Sequence, residues 1–167
     1  HPNEAGIMDS ELQRLFKDHP RAQGRKFGKM AGGINPGYIN RHPETWPYLA
    51  GAIEAYRKFY PSISAAWWDY EFGPFDHLMV YPCFDESVYA DFAARYNITE
   101  KLDPGVLERK YKQQWIDFTC EEVGKMFQLV RRLLKEQSLP LYVYSGYQGG
   151  PNGKEYYNID WTFAGPN

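Results

Sequence analysis

The chain has 167 residues, 19 basic and 21 acidic side chains, a formal net charge of −2 and 43% hydrophobic residues. That length suits one domain, residues 1–167, large enough to bury a core without staples. So even a charge balance offers no broad basic field to nucleic acid or an anionic membrane, and no apolar run approaches the roughly 18 residues of a spanning helix, so neither partner is expected.

The start His1-Pro-Asn3 has neither an initiator Met nor a signal-peptide pattern, which predicts a trimmed or excised N-terminus. Ser10 and Gln13 form a capping-box pattern ahead of Leu12, Leu15 and Phe16, predicting a helix over 10–18. A polar turn follows, then a short strand at 26–31, ended by Gly32-Gly33 and the loop Asn35-Pro-Gly-Tyr38. Pro43 suits a first helical position, and Trp46, Leu49, Ile53, Tyr56 and Tyr60 recur at steps of three and four up to Pro61. A strand at 62–70 comes next, then a loop through Gly73-Pro74 and Pro82. A helix at 86–96 carries Val88, Tyr89, Phe92 and Tyr96, and Asp103-Pro104 reads as the cap and first turn of another.

The clearest helix covers 113–137, where Ile116, Cys120, Val123, Phe127, Val130 and Leu134 make one apolar stripe. Lys125, Arg131, Arg132 and Lys135 lie largely off it, as a solvated face that complements the C-terminal dipole. Leu139 to Ser145 is then a third strand, ending at Gly146. Strands separated by amphipathic helices imply parallel pairing through right-handed crossovers, hence an α/β architecture of TIM-barrel type. Eight strand–helix units take about 250 residues, so an excised portion of a β/α barrel, or a compact three-layer domain, is expected.

The chemistry concentrates in Trp67-Trp-Asp-Tyr-Glu71. Side chains alternate along a strand, so Trp67, Asp69 and Glu71 share one face. Two adjacent carboxylates in an aromatic setting resist simultaneous ionisation, which leaves a proton donor beside an anion, the equipment of glycosidic bond cleavage. Against this stands the ordinary role of strand-end acids in capping loops or pairing with cations. Ligands in α/β folds sit at the carboxyl ends of strands, which places Ser145, Tyr147 and Gln148 beside Asp69 and Glu71. Tyr144 and Tyr147 can donate hydrogen bonds to a sugar or simply pack. Asp160-Trp161 pairs an acid with a stacking ring, or is a loop acid beside a packing indole.

Other chemistries find little support. Cys83 and Cys120 are too few and too far apart for a zinc motif, no His-x-x-x-His supplements them, and no metal is expected. They could be bridged or be two buried thiols, which leaves the compartment open. His42 and His77 have no nucleophile arranged beside them, and Ser145-Gly146 lacks the first Gly of a nucleophile elbow. No Gly-rich loop followed by Lys and Ser/Thr appears, and no cofactor is expected.

Trp67-Trp-Asp-Tyr-Glu71 resembles the catalytic strand of chitinase-type glycoside hydrolases, where Asp-x-Glu closes a longer acidic motif on a TIM-barrel strand. That motif's earlier acidic positions hold Ser62, Ser64 and Ala65 here, which departs from a substrate-assisted mechanism. The order Asn35-Pro-Gly-Tyr38, His42-Pro43, Tyr60-Pro61, Asp69-Tyr-Glu71, Trp115-Ile-Asp-Phe118 and Tyr144-Ser-Gly-Tyr147 is similar to glycosidase-like TIM barrels over about residues 35–163. The resemblance implies Glu71 as general acid/base and Asp69 as the neighbour that tunes it. Trp67, Tyr144, Tyr147, Gln148, Asp160 and Trp161 would then contact an oligosaccharide or polysaccharide, within a barrel completed by further strands. The alternative is a carbohydrate-binding or scaffold barrel without the chemistry.

Overall fold

A computed structural model describes residues 5–26, 33–69, 80–81, 85–144 and 160. Among the described residues the chain forms α1 (Ala5–Asp18), β1 (Arg25–Lys26), α2 (Pro36–Arg41), α3 (Trp46–Phe59), β2 (Ala66–Asp69), β3 (Val80–Tyr81), α4 (Glu86–Tyr96), α5 (Pro104–Lys110), α6 (Lys112–Glu136) and β4 (Leu141–Tyr144).

Local chemistry sets the helix ends. The Asn35 side chain accepts from the Tyr38 N–H at 3.1 Å, with Pro36 opening α2. Asp85 caps α4 through the Ser87 N–H at 2.9 Å, and Asp103 caps α5 through the Val106 N–H at 2.8 Å. Asn97 closes α4 in the left-handed region, a conformation that Asn tolerates. Ser138 takes the same conformation after α6, where the Leu139 N–H donates to the Leu134 carbonyl at 3.0 Å and turns the chain into β4.

The long helix α6 is the spine of two cores. Its N-terminal half presents Trp115, Ile116 and Phe118 to α4 and α5, where Phe92, Val88 and Leu107 are fully buried. Its C-terminal half presents Met126, Leu129, Val130 and Leu134 to Leu15 of α1, Ile39 of α2 and Leu49 of α3. The predicted α6 stripe is buried as its periodicity requires.

The sheet is where expectation and structure part. The α/β TIM-barrel architecture, and with it the excised barrel portion, is overturned: the described residues are mostly helical, and their four strands form two separate two-stranded sheets. The segments predicted at 62–70 and 139–145 do pair in parallel as β2 and β4. However, three helices intervene between them rather than one per crossover, and β3 leaves to pair antiparallel with β1. The described part of the 26–31 strand, Lys26, therefore sits in an antiparallel ladder opposite Val80, and 27–31 lie outside the described residues. Helix packs on helix, α1 along α3 and α2 along α6, so burial is achieved without a continuous sheet.

Candidate functional site

β2 and β4 form a four-rung ladder with Ala66 opposite Leu141, Trp67 opposite Tyr142, Trp68 opposite Val143 and Asp69 opposite Tyr144. Alternation sorts these rungs onto two faces. Trp68 meets Phe127 of α6 edge-on, with ring centroids 5.5 Å apart, and Ala66 and Leu141 pack against the first core. The other face is open, with Trp67 68% exposed and Tyr142 55% exposed. Large aromatic residues so exposed on one rung offer an apolar surface with polar tips.

Asp69 and Tyr144 hold the last rung, two residues beyond Trp67 and Tyr142 on their strands. The backbone thus brings three predicted site residues, Trp67, Asp69 and Tyr144, to one end of one parallel ladder. Asp160 is partly buried and lies outside any helix or strand. Glu71, Tyr147, Gln148 and Trp161 lie outside the described residues, as do His77, Cys83 and Ser145. Cys120 is a buried thiol. Tyr142 was absent from the predicted site, although the signal was present: it stands two residues before Tyr144 and so shares its face.

A second polar cluster joins α2, α4 and α6. The Glu122 side chain is 1% exposed and accepts from Arg41 Nη1 at 2.6 Å, from Asn40 Nδ2 at 3.0 Å and from Lys125 Nζ at 2.8 Å. Arg41 also donates to Asp91 at 2.6 Å and to the Gly37 carbonyl at 2.8 Å. Burial alone would push the Glu122 carboxyl up, but its hydrogen bonds from Arg41, Asn40 and Lys125 outweigh it and hold the group below the usual carboxylate range. A carboxylate satisfied from three sides and kept ionised is a poor proton donor, so the cluster is an anchor between helices.

A similar anchor forms at Asp85, which Arg21 grips through Nε at 2.7 Å and Nη2 at 2.6 Å. Burial raises the Asp85 pKa, and bonds from Arg21 and Ser87 more than reverse that. His42 stacks on Tyr38 at 3.9 Å, ends α2 and precedes the 3-10 turn that Pro43 opens. No group of His, Cys, Asp and Glu among the described residues is arranged to hold a metal ion.

Compared with known proteins, the chain matches no family model, no curated protein and no solved structure. With the barrel gone as well, the resemblance to chitinase-type glycosidases identifies no family for it. What remains for function is the open face of the β2–β4 ladder.

Proposed function

We propose that this chain engages an oligosaccharide or polysaccharide at the open face of the β2–β4 ladder, with Trp67 and Tyr142 as a stacking platform. One observation carries the reading: the two are rung partners, both more than half exposed, on the face away from Phe127. Neighbouring strands lie about 4.8 Å apart, so the paired rings cover an area comparable to one sugar ring. The apolar C–H face of a pyranose can lie on such a surface while its hydroxyls bond the polar tips.

The enzymatic form of this reading is glycosidic bond hydrolysis. Asp69 pairs with Tyr144 two rungs beyond Trp67, and Glu71 comes two residues later in the sequence. A carboxylate pair adjoining a sugar platform has the groups that acid/base cleavage needs.

Calorimetric titration with neutral, acidic and amino-sugar oligosaccharides tests the platform. Trp67→Ala and Tyr142→Ala should each weaken binding about tenfold, the loss expected for one stacking ring. Release of reducing ends that disappears in Glu71→Gln, with binding retained, assigns hydrolysis; binding without release assigns a binding module. No binding to any of these glycans rejects the reading.

A further inference from the structure

The helix α4 runs into the tripeptide Asn97-Ile-Thr99, and no other Asn of the 167 residues has Ser or Thr two positions on. Asn followed by any residue but Pro and then by Ser or Thr is the acceptor pattern for an N-linked glycan. The pattern is short, so its placement in the fold decides whether it can serve.

The end of α4 presents this tripeptide to solvent. Asn97 stands in the left-handed region with φ 55°, and its N–H closes the helix on the Ala93 carbonyl. The Ile98 N–H donates to the same carbonyl at 2.9 Å, and the Ile98 side chain packs against the cluster around Phe92. With Ile98 turned inward, its neighbours Asn97 and Thr99 are both exposed. Neither the Asn97 amide nor the Thr99 hydroxyl makes a hydrogen bond among the described residues. Gly suits a left-handed cap better than Asn, so the backbone alone does not call for an amide at 97. Among the described residues, no contact calls for a hydroxyl at 99 either.

We propose that Asn97 is the acceptor of an N-linked oligosaccharide, transferred from a polyprenyl-diphosphate-linked donor. The bond between Asn97 Nδ2 and the anomeric carbon of the first sugar forms, and the bond from that carbon to the diphosphate oxygen breaks. The polyprenyl diphosphate leaves with the electron pair, and the amide gives up one proton to a base of the transferase; nothing is oxidised or reduced. A bulky, hydrated glycan belongs on the surface, and at an exposed residue beyond the last turn of α4 it displaces no packed side chain. The modification assigns the chain to the secretory route, where such donors and their transferases act. Because α4 packs in the cluster of Phe92 and Trp115 while β2 and β4 lie against the other, the acceptor is separate from the platform of Trp67 and Tyr142.

The test expresses the full chain behind a cleavable secretory leader in cultured animal cells and reads cell-associated and secreted protein alike by gel mobility. The chain should run as a glycosylated species that peptide N-glycosidase F collapses to the mobility of the bare chain. Peptide mass spectrometry after that digestion should find the Asn97 side chain converted to a carboxylate. Asn97→Gln should abolish the shift. Thr99→Ala should abolish it too, although it leaves the α4 cap in place, and Thr99→Ser should keep it. A parent chain without the shift, a shift that survives Thr99→Ala, or a glycan mapped to another residue would each overturn the proposal.

Discussion

Glu122 shows how much can depend on one side chain. Removing one member of a buried ion pair leaves the other charge uncompensated, at a cost of about 3–5 kcal/mol. Arg41 is only 18% exposed and would keep the 60% exposed Asp91 as its remaining acidic partner, which places the loss at the lower end of that range. Glu122→Ala should therefore lower the unfolding free energy read from urea denaturation by about 3 kcal/mol. Glu122→Gln should cost less, because its amide oxygen still accepts one bond. Equal and small losses in both would show that Arg41 finds water instead. Asp85 combines two smaller roles. Its partner Arg21 is 52% exposed, so the pair is screened and contributes about 1 kcal/mol at most. The cap on α4 contributes about as much again. Asp85→Asn should keep the cap and lose the pair, whereas Asp85→Ala should lose both and cost about twice as much in chemical denaturation.

Between elements, α2 comes close to α4 at Gly37. A Cβ there would lie 2.6 Å from Val88 Cγ2, and Val88 is fully buried with a stiff β-branched side chain. Helix propensity favours Ala over Gly by about 1 kcal/mol, yet overpacking costs about 1–3 kcal/mol, so Gly37→Ala should destabilise on balance. Val88→Ala in the same chain should then cost less than it does alone, a coupling that a double-mutant cycle reads directly.

Elements like α4 and α6 were legible because their apolar residues recur at helical steps, and the structure returns α4 at 86–96 as expected. The loop at Asn35-Pro-Gly-Tyr38 is instead the start of α2, since turn grammar and an N-cap followed by Pro use the same residues. The strand expected from Ser62 begins only at Ala66. A turn in which the Ile63 N–H donates to the Tyr60 carbonyl at 3.1 Å, and Arg57 binds the Ile63 carbonyl, occupies the preceding backbone. The barrel inference failed for a related reason. Alternating helices and strands were read as crossovers, but sequence alone does not say whether a helix packs on a sheet or on another helix, and here α1 chose α3. Of the site, the parallel pairing of the strand that carries Trp67 and Asp69 with the strand that carries Tyr144 was legible from the order of elements. The exposure of Tyr142 depends on which face α6 covers, a tertiary choice.

Among the described residues, two apolar clusters are strung along α6, and the ion clusters at Glu122 and Asp85 tie α2, α4, α6 and the Arg21 turn together. That arrangement predicts how the fold responds to acid. Glu122 and Asp85 both have folded-state pKa values below their unfolded ones. For a depressed carboxylate the unfolded chain binds more protons than the folded one once the pH drops below the unfolded value, about 4. The stabilisation is therefore complete at neutral pH and is lost progressively as pH falls from about 4 through the lower folded values. Urea denaturation from pH 7 to pH 3 should show a plateau and then a fall at the acid end. In Glu122→Gln combined with Asp85→Asn the plateau should drop and the fall should flatten, because two buried groups that take up protons on unfolding are gone. A double variant whose stability falls as steeply as the parent's between pH 5 and pH 3 would place acid sensitivity in other carboxylates and remove these two clusters from the role of junction. Because Glu122 and Asp85 lie away from the open face of β2 and β4, the same variant should bind glycan at pH 7 as the parent does.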